Sequence, residues 1–110
     1  VQTMHERKAM MSERADAFLA LPGGIGTFEE LFEIWTWRQL GYHDKPIGVL
    51  NCAGYYDGLL SFLNSSVKAG LMGEWQMELT RTGTEPIALL EALRTEAAQR
   101  SSHSSVAANV

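Results

Sequence analysis

The segment with the most chemistry to offer is Pro22-Gly23-Gly24-Ile25-Gly26-Thr27-Phe28-Glu29-Glu30. Glycine has no Cβ, so the backbone at Gly23, Gly24 and Gly26 can come close to an anion. If a helix opens just afterwards, its unpaired N–H groups and the positive end of its dipole face the same point. A phosphate is the natural guest. The run lacks the Gly-Lys-Ser/Thr ending of a P-loop and the G-x-G-x-x-G spacing of a dinucleotide fingerprint. A purely structural tight turn is the other reading of the glycines. Glu30 also has two readings. Thr27-x-x-Glu30 has the spacing of a helix capping box, while a free carboxylate here could stabilise positive charge developing on a substrate.

Two cations, Arg7 and Lys8, follow Thr3-Met4-His5-Glu6, itself spaced as a capping box. They fall in the first turns of the helix expected from Thr3 to about Arg14, where the dipole disfavours cations. Solvated surface is the plain explanation; a bound phosphate or an acidic partner accounts for them better. The other candidates carry less. His5, His43 and His103 form no metal-ligand spacing and read as surface or capping residues. Cys52 follows an apolar run and is expected to be packed. Tyr55 and Tyr56 open a helix, and packing is their expected role. Asn64-Ser65-Ser66 fits a glycosylation acceptor that a cytosolic chain does not use.

These residues must be held by the elements around them. Residues 17–21 (Ala-Phe-Leu-Ala-Leu) and residues 46–50 (Pro-Ile-Gly-Val-Leu) are short continuous apolar runs, as expected of strands buried on both faces. Residues 78–81 are a candidate third strand. A helix from Thr27 to about Leu40 is stopped by Gly41, with Phe28, Leu31, Phe32 and Trp35 as its core stripe. Ile34 and Trp37 lie off that stripe and call for a second buried surface. Tyr56, Leu59, Leu60, Leu63 and Val67 mark another helix, closed by Gly70. Thr84 and Pro86 open a last one carrying Ile87, Leu90, Leu93 and Ala97. Strands alternating with helices imply an α/β fold with a partial doubly wound, Rossmann-like parallel sheet and flanking helices. From Ser101 onward there is little to bury, and a frayed tail is expected.

Composition narrows the partners. The chain has 110 residues, 45% of them apolar, enough for one domain with a packed core. A net charge of −4 with no basic stripe argues against nucleic acid. Nothing approaches the run of about 18 apolar residues that a spanning helix needs. One cysteine excludes an internal disulfide and suits a reducing cytosol. The opening residues are too polar for a secretory signal, and the first of them is Val1, not methionine.

Two motifs in order tie these features to a family. Met4-His5-Glu6-Arg7-Lys8 matches M-H-x-R-K, and residues 22–30 match P-G-G-x-G-T-x-x-E. With Trp37-Arg38-Gln39-Leu40-Gly41, His43-Asp44-Lys45-Pro46 and residues 51–62, the chain resembles the Lonely Guy (LOG) phosphoribohydrolases, formerly described as lysine decarboxylases. The likeness covers roughly residues 3–95. It implies that Arg7 and Glu30 are the catalytic pair and that Lys8, Gly23, Gly24, Gly26 and Thr27 hold a nucleoside monophosphate. The implied reaction cleaves a cytokinin ribotide or AMP to free base and ribose 5-phosphate, without a cofactor, in a cytoplasmic homodimer or higher homo-oligomer paired through helices near the active site. Residues 1–100 then correspond to the C-terminal portion of the family's domain, with residues 101–110 as a disordered tail. The family carries an upstream strand–helix–strand region with a further glycine-rich loop. A non-enzymatic nucleotide-binding or oligomerisation module is the alternative. A pyridoxal-phosphate decarboxylase would need Lys8, Lys45 or Lys68 as its Schiff-base lysine, none in a convincing setting.

Overall fold

The computed structural model describes the backbone of residues 15–108 and the side chains of residues 15–99. The expected first helix, with Arg7 and Lys8, lies outside the described residues. Three strands, β1 (Phe18–Ala20), β2 (Ile47–Leu50) and β3 (Thr80–Gly83), pair in parallel in the order β1-β2-β3. Between and after them come α1 (Ile25–Gln39), a 3-10 turn (Cys52–Gly54), α2 (Asp57–Lys68), the short α3 (Glu74–Met77) and α4 (Pro86–Ala108). The third strand starts later than residue 78 because Glu78 and Leu79 finish α3, donating their N–H groups to Glu74 O and Gln76 O.

β2 organises the core. Its side chains alternate between two faces, and all four residues are buried. Ile47 and Val49 pack with Leu31, Ile34, Trp35, Tyr56 and Leu63 on one side. Leu50 packs with Leu89 and Leu93 on the other. Each such side chain taken fully from water contributes roughly 1.5–3 kcal/mol. Gly48 points at α4 so closely that a Cβ there would stand 2.7 Å from Leu93 Cδ1. Gly83 admits Leu89 in the same way, with a Cβ 3.2 Å from its nearest atoms. These two gaps select the buried face of α4. Leu89 and Leu93 go in, whereas Ile87 and Leu90, expected in the stripe with Leu93, stay exposed.

Two further expectations are corrected. β1 is only half-buried, not covered on both faces, because among the described residues no strand lies beyond it. On α1, Ile34 is buried in the core beside Leu31 and Trp35, while Phe32 is 36% exposed. The helix is rolled towards α3 by the Trp35 indole N–H, which donates to Gln76 O at 2.8 Å. Phe32 then rides on the outer side, its ring stacked on Trp35 at 6.0 Å. Trp37 is half-buried against the Tyr42 ring. Ile34 therefore needs no second surface.

Helix ends follow their signals. Gly41 has φ of 87°, and the bonds Tyr42 N–H to Trp37 O and Gly41 N–H to Arg38 O complete a Schellman stop. Pro86 takes the first position of α4, and the Glu85 carboxylate accepts the Ala88 N–H at 2.6 Å. Beyond Pro86 the sequence has no glycine or proline. The backbone stays helical to Ala108, through the Ser/Ala-rich stretch expected to fray. Among the described residues no helix is long and apolar enough to cross a membrane.

His43 braces the end of α1. Its Nδ1 accepts the Lys45 N–H at 3.1 Å, so Nε2 carries the proton and donates to Ile34 O at 2.9 Å. Burial lowers the His43 pKa, and the nearby Arg38 and Lys45 cations lower it further, against the Ile34 bond and Asp44. The unfolded chain thus binds this proton more readily than the fold does. Stability is fully present above the ordinary value of 6.5 and is lost as pH falls from there through the lowered folded pKa. Urea unfolding between about pH 7 and pH 5 should show this loss, and His43→Gln should flatten it; equal slopes for both proteins would contradict the assignment.

Candidate functional site

The glycine loop leaves β1 at the C-terminal edge of the parallel sheet, where open α/β sheets collect ligands. α1 begins directly after Gly24, whose carbonyl accepts the first helical bond from Phe28 N–H at 3.0 Å. The N–H groups of Ile25, Gly26 and Thr27 consequently have no helical acceptor. No side chain caps this terminus, and the first turn holds no acidic residue. Three donors and the positive end of a 15-residue helix therefore meet at one point with no side-chain cap and no acid in the helix's own first turn.

The three glycines do different things. None has a positive φ among the described residues, so a left-handed tight turn does not explain them. Gly23 is fixed by packing: a Cβ there would collide with Thr27 Oγ1 and stand 3.0 Å from Thr27 Cβ. Around Gly24 and Gly26, by contrast, an added Cβ would meet nothing within 4 Å. Their missing side chains leave open space over the unclaimed N–H groups.

Glu30 stands in the second turn of α1, and the capping interpretation fails on position. The N-cap is Gly24, so Thr27 is already the third helical residue and its hydroxyl cannot start a capping box with Glu30. The Glu30 side chain is exposed and, among the described residues, has neither a hydrogen bond nor an ion pair. It lines a cleft of about 310 Å³ along β1, with Thr27 as the other polar side chain and Leu19, Leu21, Leu31 and Ile34 among the apolar ones. The structure thus brings Gly23, Gly24, Gly26, Thr27 and Glu30 to one end of one helix. Arg7 and Lys8 lie outside the described residues. Among the described residues no cluster of His, Cys, Asp and Glu could hold a metal ion. Cys52, expected to be packed, is exposed, because it opens the turn just past the buried Asn51 at the rim of the sheet.

The residues that sequence reasoning undervalued are Asn51, Tyr55 and Tyr56. Asn51 is 7% exposed and satisfied on both ends of its amide. Its Oδ1 accepts the Tyr56 N–H and its Nδ2 donates to Asp57 Oδ1, each at 2.7 Å. Its own N–H donates to Gly83 O at 2.7 Å, tying the loops after β2 and β3 together. Tyr56 is a core residue with a polar tip: its hydroxyl donates to Leu21 O at 2.6 Å. Burial pushes the Tyr56 hydroxyl pKa up, with Tyr55 adding to it, so the group remains a donor. The Tyr55 hydroxyl donates to Gly23 O. An Asn at a strand end followed by paired tyrosines was the available signal, but apolar periodicity registers only the ring of Tyr56.

The family described as "Possible lysine decarboxylase" matches residues 1–93. Cytokinin riboside 5'-monophosphate phosphoribohydrolase LOG2 of Arabidopsis thaliana is 50% identical over 93 residues, 84% of this chain and 44% of that protein. LOG1 of the same plant is 58% identical over 72 residues, 66% of this chain and 34% of its own length. The enzyme called LOG in Oryza sativa subsp. japonica is 58% identical over 74 residues, 67% of this chain and 31% of that protein. The chain spans less than half the length of these curated relatives.

Proposed function

The chain belongs to the family described as possible lysine decarboxylase, and from that premise we propose that it is the C-terminal portion of a phosphoribohydrolase acting on a nucleoside 5'-monophosphate. The substrate is a cytokinin ribotide or AMP, in keeping with the names of the relatives. Residues 1–100 carry the nucleotide-binding α/β domain. One observation carries this proposal: among the described residues, space stands open at Gly24 and Gly26 beside unclaimed N–H groups, less than two helical turns before a Glu30 carboxylate with no partner.

The chemistry follows from charge. Water adds at C1' of the ribose, the bond from C1' to the base nitrogen breaks, and the base leaves with a proton. The products are free base and ribose 5-phosphate. As the base departs, the ribose acquires oxocarbenium-like charge. Glu30 stabilises that charge and orients the water. The phosphate sits on the N–H groups from Gly24 to Thr27, with Lys8 adding charge. Arg7 orients substrate and Glu30 through two-pronged hydrogen bonds. No cofactor is needed for any of these steps. A decarboxylase would instead need a Schiff-base lysine, and neither Lys45 nor Lys68 lines the cleft that Glu30 shares.

The proposed assembly is a cytoplasmic homodimer. The exposed Phe32, Leu40 and Tyr42, at 36%, 58% and 72%, provide apolar surface on and just after α1 for a second copy to cover. The free thiol of Cys52 suits a reducing compartment. Light scattering at micromolar concentration should return twice the chain mass; a single-chain mass would contradict the dimer.

Glu30→Gln separates charge from shape. With AMP as substrate, base release should fall by two orders of magnitude or more, about 2.7 kcal/mol or greater, at unchanged melting temperature. Unchanged turnover in the variant would remove Glu30 from the mechanism. A wild-type protein that binds AMP but releases no base would overturn the hydrolase assignment.

A further inference from the structure

We infer that Tyr55 and Tyr56 are positioning residues that set the polarity of the glycine loop, so that it offers N–H groups and not carbonyls to a phosphate. This rests on the phosphate-binding role proposed above for residues 23–27. A peptide unit carries its C=O and its N–H on opposite sides. The unit joining Gly23 to Gly24 is flanked by two residues without a Cβ, so little steric resistance opposes its rotation. Turned over, it would present a carbonyl oxygen where the anion must sit, and attraction would become repulsion.

The structure holds that unit in one orientation. The Tyr55 hydroxyl donates to Gly23 O, which directs the Gly24 N–H away from the tyrosine. The Tyr56 hydroxyl does the same for Leu21 O at 2.6 Å, just before Pro22, a residue with no N–H of its own. The carbonyls of Leu21 and Gly23, on either side of Pro22, are thereby occupied. The two rings stand edge to face at 4.9 Å, so each restrains the other.

The clamp is itself supported. Asn51 accepts the Tyr56 N–H and grips Asp57, fixing the backbone from which both tyrosines project. The chain between them turns through two successive left-handed residues, Ala53 with φ of 53° and Gly54 with φ of 73°. For alanine that conformation costs of order 1 kcal/mol and persists only where the surroundings enforce it. Here the tight turn delivers two adjacent hydroxyls to the neighbouring loop.

Tyr55→Phe is the test, because Tyr55 is 52% exposed and loses only its hydroxyl. The 110-residue chain and its variant are compared for AMP and inorganic phosphate binding, and for relaxation dispersion at the Gly24 amide without ligand. The variant should bind both phosphates about tenfold more weakly, the scale of one hydrogen bond of about 1.4 kcal/mol. Its melting should stay unchanged, and Gly24 should begin to exchange between conformations. Leu71→Ala, at an exposed position the site does not use, should match wild type in every readout. Wild-type affinity in Tyr55→Phe, or a quiet Gly24 amide, would overturn this inference alone. A wild-type chain that binds neither phosphate would overturn the proposed function and this inference with it.

Discussion

The hydrogen bond from the Tyr56 hydroxyl to the Leu21 carbonyl connects segments 35 residues apart, and much of the structure converges on it. The Tyr56 ring is 1% exposed and packed among Ile47, Val49, Leu63 and the inner face of α1. Its polar end reaches the residue at which β1 gives way to the glycine loop. Core packing and loop placement are therefore coupled through one side chain. A phenylalanine would pack almost as well, but it would remove this hydrogen bond from the Leu21 carbonyl, a loss of about 0.5–1.5 kcal/mol. The neighbouring Asn51 shows the same economy: its buried side-chain amide holds the Tyr56 backbone and Asp57 of α2, while its own N–H bonds the last residue of β3.

At the other end of the loop, the sequence gives up stability with no return inside the fold. Glycine within a helix costs roughly 0.5–1 kcal/mol relative to alanine. Gly26 bears that cost although its φ is ordinary and nothing stands within 4 Å of where its Cβ would be. Gly48 and Gly83 differ, since α4 fills the space they leave. Local choices that disagree with the fold are expected where a ligand, not packing, sets the requirement. The Glu30 carboxylate, without a partner among the described residues, and the uncapped start of α1 are of the same kind.

Much of the architecture was legible in the sequence because its signals are local. The apolar runs ending at Leu21 and Leu50, the stops at Gly41 and Gly70 and the proline at the start of α4 need only neighbouring residues to act. What escaped depends on packing between distant segments. The roll of α1 that buries Ile34 and leaves Phe32 outside comes from the Trp35 bond to Gln76, 41 residues away. The choice of Leu89 over Leu90 in α4 comes from the gaps at Gly48 and Gly83. In the site, the P-G-G-x-G-T segment was visible as a phosphate loop. Whether Glu30 caps α1 could not be decided until the helix was seen to start at Ile25, two residues before Thr27. The tyrosine hydroxyls were invisible to a pattern that scores their rings alone.

The central claim is that the empty space at Gly24 and Gly26 exists for an anion. The affinity of Gly26→Ala for AMP, with urea unfolding recorded on the same sample, tests it most directly. Alanine meets no atom of the described residues here and favours the helix, so unfolding free energy should rise by about 0.5–1 kcal/mol. AMP affinity should meanwhile fall tenfold or more, because the added methyl occupies the approach to the N–H groups. A variant that is more stable and still binds AMP as wild type does would contradict the account.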